Sequence, residues 1–209
     1  MGKNKAFDNN VDSYEAWFEK NNNILDSEVN AIRQLLPAFS KGIEIGTGTG
    51  IFASLLSIKD GIEPSIKMSE KAIERGINII NAKAELLPIA DNTYQFALMV
   101  TVDCFLDDVL QAFREVRRIL SDDGNFIVAF IDRGTELGQI YSKKISTEEF
   151  YKHANFHDAE EMIAYLEAAG FEIVDKRHTI YTFENKVQEI KNGVGEGVFA
   201  VIKAKKCCS

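Results

Sequence analysis

Apolar residues along this chain fall in two rhythms, a helical one of spacing three and four and a set of short unbroken runs. Their alternation predicts strands interleaved with helices. Residues Asp12 to Glu19 read as a short helix. Leu25, Val29, Ile32, Leu36 and Phe39 line one face of the next, with Asp26 or Ser27 as its candidate cap. Gly42 to Ile45 read as a first strand, Gly46 to Gly50 as a glycine-rich turn, and Ile51 to Ser57 as the helix that follows. Gly61-Ile62-Glu63 closes a second strand, Ser65 to Arg75 suit a helix, and Gly76 to Asn81 a third strand. Tyr94 to Val102 are apolar without alternation, as in a central strand covered on both faces. Leu106 to Leu120 return to the helical period, and Asn125 to Asp132 form another buried strand.

The second half is less regular. Residues 133–157 form a long polar connection with one short helix, for which Ser146 and Glu149 match a capping box. Asp158 caps a helix running through Ala169, and Gly170 stops it. Phe171 to Thr182 and Gly197 to Lys205 are two late strands with no crossover helix between them, so they are expected to pair antiparallel. Between them, residues 183–197 carry Gly193, Gly195 and Gly197 and read as a flexible turn. The whole predicts an α/β, doubly wound, Rossmann-like sheet in a single domain over 1–209. Within it, residues 1–39 read as an N-terminal helical lid, 40–132 as a ligand-binding core and 133–206 as a connection, a helix and the final antiparallel strands. Ligands of such sheets sit at the carboxyl ends of the strands, by the switch point.

Composition narrows the class. The chain has 209 residues, 45% hydrophobic and 27% charged, as in ordinary soluble domains. No apolar run reaches the ~18 residues of a membrane span, and the first residues lack the apolar stretch of a secretory signal. A net charge of −8 disfavours a broad nucleic-acid surface. Three cysteines give no disulfide framework, and a reduced, cytoplasmic setting is the natural reading.

Glu44-Ile45-Gly46-Thr47-Gly48-Thr49-Gly50 carries the chemistry. Glycines at alternate positions let the backbone turn and approach a ligand, and the helix that follows aims free N–H groups at it. The spacing is G-x-G-x-G, whereas dinucleotide folds use G-x-G-x-x-G, and no P-loop lysine follows. Glu44 beside the turn repels a pyrophosphate and suits a ligand that carries a cation. Glu63, 17 positions after Gly46, can accept hydrogen bonds from a ribose diol. Taken singly, both are ordinary solvated strand-end acids.

Together, Ile43 to Ala53 resemble motif I of the class I S-adenosylmethionine-dependent methyltransferases. Glu63-Pro64-Ser65 with Met68 resembles their second motif. Ala84 to Pro88, Asn92 to Phe96 and Arg114 to Gly124 resemble later segments in the same order. The likeness is greatest to the small-molecule branch that includes the ubiquinone and menaquinone methyltransferases. It implies a seven-stranded sheet of order 3-2-1-4-5-7-6 with strand 7 antiparallel, and S-adenosyl-L-methionine as cofactor. It implies a cofactor site of Glu44, Ile45, Gly46, Thr47, Gly48, Gly50, Glu63, Pro64, Ala84, Glu85, Thr101 and Val102. In it Glu44 holds the methionine ammonium, Glu63 the ribose, and Ala84 and Glu85 the adenine edge. Gln95 stands where many relatives have Asp, at a strand start distant from the ligand.

Tyr14, Trp17 and Phe18 read either as a lid with rings near the sulfonium or as an aromatic face stapling a helix to the sheet. His153 and His157 lie in the long connection. His153 is the candidate general base, set against the commoner surface or capping histidine. Tyr141 and Tyr151 are candidates for an acceptor pocket. His178 and Cys104 read as packed structural residues. Asp103, Asp107 and Asp108 read as helix caps rather than metal ligands. The expected activity is methyl transfer to a small-molecule acceptor without a metal. The alternatives are a non-catalytic binding module for the same cofactor and a nicotinamide oxidoreductase.

Overall fold

In the computed structural model, the described residues are 7–39, 41–145 and 154–207. Two N-terminal helices, α1 (Val11–Lys20) and α2 (Asn22–Leu35), precede the sheet. Then follow β1 (Gly42–Ile45), α3 (Ile51–Leu55), β2 (Asp60–Ile62), α4 (Ile66–Glu74) and β3 (Asn78–Ile80). Next come β4 (Tyr94–Val100), a short 3-10 turn (Asp103–Phe105), α5 (Val109–Ile119), β5 (Leu120–Ile131) and α6 (Glu136–Ile145). The chain finishes with α7 (Ala159–Ala168), β6 (Phe171–Thr179), β7 (Lys191–Asn192) and β8 (Phe199–Lys206).

Side chains of the central strands alternate between two cores, which is why those strands read as unbroken apolar runs. Tyr94, Ala97 and Met99 of β4, with Phe126, Val128 and Phe130 of β5, pack under α5 and α7. Phe96, Leu98, Val100, Ile127 and Ala129 face the opposite way, toward α2, α3 and α4. Phe96, Phe113 and Phe126 are fully buried, so truncating any one to Ala costs roughly 3–5 kcal/mol.

The sheet order is β3-β2-β1-β4-β5-β8-β6-β7. Pairings among the first five strands in that order are parallel, and β8 is antiparallel to both β5 and β6. The expected order therefore holds, with β8 as the antiparallel late strand. The strand count is corrected from seven to eight, because Lys191 and Asn192 pair with His178 and Arg177 at the outer edge. The 183–197 segment is organised rather than merely a turn. The Gln188 side chain accepts N–H bonds from Tyr181 and Thr182, at 2.7 and 3.1 Å.

Boundaries move in three places. α2 starts at Asn22, with Asp26 and Ser27 inside it. Its start is served instead by Asn185, whose Oδ1 accepts the Asn23 N–H at 3.0 Å. The 3-10 turn delays α5 to Val109, capped by Asp108, which accepts the Gln111 N–H at 2.9 Å. β5 begins at Leu120, its register shifting before it resumes opposite Phe96. Ser146, Glu149, Tyr151 and His153 lie outside the described residues. Among the described residues no helix is long and apolar enough to cross a membrane.

Candidate active site

β1 lies between β2 and β4, so the turn after β1 opens beside the point where the strand order reverses. The Gly46 and Thr47 N–H groups both donate to the Ile62 carbonyl, at 2.8 and 2.9 Å, which fixes the turn on the end of β2. The Thr47 hydroxyl donates to the Glu44 carbonyl at 2.9 Å. Gly48 is held at φ +56°, in the left-handed region that favours glycine. A side chain there would begin 3.6 Å from the Tyr14 hydroxyl and meet nothing else within 4 Å except that ring's Cζ. Gly46 is the opposite case, because a Cβ would collide with Val102 at 2.3 Å.

Two buried carboxyls bracket this turn. Glu44 is 1% exposed, and its Oε2 accepts the Ala53 N–H at 3.1 Å, tying β1 to the first turn of α3. Burial holds its carboxyl well above the usual range, with Glu63 adding and the Ala53 N–H opposing. Glu63 follows β2, and its two oxygens accept the Gly48 and Ser65 N–H groups, each at 2.8 Å. Burial pushes Glu63 up to about 7, those two N–H groups oppose it, and Asp8 adds its charge. Acids kept this dry favour a partner that brings a cation or hydroxyl donors.

Tyr14 of α1 closes the site from above. Burial raises its phenol, and Glu44, Glu63, Glu28 and Glu15 raise it further. Glu15 forms an ion pair with Arg75, which also donates to the Thr49 carbonyl at 2.8 Å. Ahead of α1, Asp8 accepts the Ser65 hydroxyl at 2.6 Å. These contacts strap the N-terminal segment across the turn. Trp17 is half-exposed and meets Phe18 edge-on, whereas the Tyr14 hydroxyl stands at Gly48 of the turn.

The other candidates spread along the same edge. Ile45 is buried in the core. Gly50 caps α3 at φ +81°, with room for a Cβ only 3.1 Å from Ala72. Pro64 stands between Glu63 and the N-cap Ser65 of α4. Thr101 takes φ +51° at the end of β4, and its N–H donates to the Ala129 carbonyl. Ala84 is buried, whereas the Glu85 carboxyl accepts the Asp107 N–H at 2.8 Å. His157 is buried, its Nδ1 2.9 Å from Asp103 Oδ2. Burial raises the Asp103 carboxyl and His157 opposes it. This pair clasps the chain before α7 to the end of β4, a contact the sequence reading missed in taking Asp103 for a cap. His178 accepts the Gly197 N–H at 2.8 Å, a structural role. Among the described residues no group of three or more His, Cys, Asp or Glu is placed to hold a metal ion.

The sequence reading also missed Asp8, Glu28 and Gly61, where a Cβ would lie 2.2 Å from the Thr47 hydroxyl. Only Glu28 left a sequence signal, since it interrupts the apolar stripe of α2.

Comparison with known proteins places this geometry in context. A family profile described as a methyltransferase domain matches residues 17–176. The chain is similar to a Thermotoga maritima protein described as a SAM-dependent methyltransferase, possible histamine N-methyltransferase. The TM-score is 0.93 and the identity 40%, over 97% of this chain and 99% of that one. It is 39% identical to an uncharacterized protein of Methanocaldococcus jannaschii, over 96% of this chain and 98% of that one. An S-adenosylmethionine-dependent methyltransferase from Mesorhizobium loti shares the fold, with TM-score 0.67 and 17% identity over 86% of this chain and 98% of that one.

Proposed function

This chain belongs to the class I S-adenosylmethionine-dependent methyltransferases, and on that premise we propose that it methylates a small-molecule acceptor by direct displacement. S-adenosylmethionine supplies an electrophilic methyl group on a sulfonium. What the protein adds is chiefly positioning, which can remove several kcal/mol from a barrier. The observation that carries the reading is Glu63, buried and bonded at once to Gly48 of the turn and Ser65 of the next helix. Its remaining lone pairs suit the ribose diol. Glu44 suits the methionine ammonium, and the open face of Gly48 admits the amino-acid part. Val102, packed on Gly46, and Thr101 border the methionine side. Ala84 and Glu85 border the adenine. Tyr14 covers the methionine side and keeps water from it.

The description of the Thermotoga maritima protein supports a nitrogen acceptor. The test is transfer of an isotope-labelled methyl group from S-adenosylmethionine into a panel of small amines, phenols and thiols, beside calorimetric binding of S-adenosylhomocysteine and NAD. The expected result is S-adenosylhomocysteine binding without NAD binding, and label in at least one acceptor. Cofactor binding with no labelled product across the panel would favour a non-catalytic module.

A further inference from the structure

Glu28 stands where the helical period of α2 calls for an apolar side chain. Ile24 and Ile32, four positions before and after it, are both buried in the core. Glu28 itself is 8% exposed. Among the described residues no hydrogen-bond donor or cation reaches its carboxyl, and burial alone pushes it up to about 8. A carboxyl in so enclosed a place loses much of its hydration, and a ligand that donates to it would restore what is lost.

Its surroundings say what does. The charge of Glu28 falls on the Tyr14 hydroxyl, together with those of Glu44 and Glu63. That hydroxyl stands 3.6 Å from where a Gly48 side chain would begin. Glu44 and Glu63 are already engaged with backbone N–H groups of the turn, and Glu28 is not. Its neighbour Ser27 accepts the Gln188 N–H at 2.9 Å, which draws α2 against the segment between β6 and β7. The helix that carries Glu28 therefore lies against the segment between β6 and β7, and the charge of Glu28 acts on the tyrosine that covers the turn.

We propose that Glu28 is the counter-ion of the methyl acceptor and that the acceptor is a small amine, bound in its ammonium form. This rests on the methyltransferase reading and narrows its substrate class. An ammonium beside Glu28 satisfies the orphan carboxyl, and the Tyr14 and Phe18 rings, 5.0 Å apart, offer faces that favour a cation. A nitrogen bonds carbon only through a free electron pair. One N–H bond of the ammonium therefore breaks, its electrons stay on nitrogen, and the proton forms an O–H bond on Glu28. That electron pair then forms the N–CH3 bond as the methyl–sulfur bond breaks, its electrons leaving with the sulfur of S-adenosylhomocysteine.

The test is calorimetry on protein saturated with S-adenosylhomocysteine. The probes are amine and alcohol pairs of one shape: butylamine with butanol, phenethylamine with phenethyl alcohol. The wild-type protein should bind an amine in preference to its alcohol. Glu28→Gln should weaken amine binding by about 30-fold or more, leave S-adenosylhomocysteine affinity unchanged, and leave the melting temperature equal or higher. No preference for either amine, or a preference that survives Glu28→Gln, overturns the proposal. Loss of S-adenosylhomocysteine affinity in Glu28→Gln makes Glu28 a cofactor contact, which overturns the proposal alone. A wild-type protein that binds no S-adenosylhomocysteine brings down both readings.

Discussion

At the scale of single residues, Gly48 and Glu63 form one unit, the amide of the first held by the carboxyl of the second. The space beyond Gly48 is open as far as Tyr14. Gly48→Val therefore fills the proposed ligand path and strains one backbone position by about 1 kcal/mol. It should abolish calorimetric binding of S-adenosylhomocysteine while the circular-dichroism spectrum stays native. Glu63 yields a pH prediction. Its folded value of about 7 lies above the unfolded 4.5, so the carboxyl is neutral below about pH 7 and ionised above it. The ionised form is the better acceptor for ribose hydroxyls. Affinity for S-adenosylhomocysteine should thus fall roughly tenfold from pH 8 to pH 6, and Glu63→Gln should flatten that dependence. The same shift acts oppositely on stability. Burial of Glu63 costs nothing below pH 4.5, and its cost grows to about 3 kcal/mol by pH 7 and then holds.

At the scale of elements, α1 is a strap and the chain before α7 is a clasp. α1 carries Tyr14 over the turn and is anchored through Glu15 and Arg75. Arg75→Ala should release it, and stopped-flow measurement should show S-adenosylhomocysteine leaving several-fold faster with its association little changed. The clasp is the buried Asp103–His157 pair. His157→Ala should cost about 3 kcal/mol in urea unfolding, leaving cofactor affinity intact. Elements with strong local signals were legible in the sequence. β4 and β5 announced themselves by unbroken apolar runs, and α7 by Asp158 as its cap and Gly170 as its stop, to which the structure adds Glu161 as the second half of a capping box. β7 and the start of α2 were not, because both depend on distant partners. Asn185 reaches across to serve the α2 start, and Gln188 organises the loop that places β7. Asp103 was misread for the same reason, its partner lying 54 positions away.

At the scale of the molecule, the antiparallel late strands were legible because no helix lies between them, whereas the order of the sheet came from the family resemblance. The glycine turn and its two acids were legible as a constellation in sequence order. Glu28 was not read, although its place in an apolar stripe marked it. The proposed site is built of buried acids, Glu44 and Glu63, and suits a ligand that carries a cation. The whole fold should respond to that ligand. S-adenosylhomocysteine at 100 times its dissociation constant adds about 2.7 kcal/mol, a rise of a few degrees in melting temperature, whereas NAD should leave it unmoved. The most direct single measurement is a crystal structure with S-adenosylhomocysteine bound. The ribose hydroxyls should lie within hydrogen-bond distance of the Glu63 carboxylate, with the amino-acid part along Gly46 to Gly48. A nucleoside bound elsewhere, with Glu63 turned from its sugar, would contradict the account.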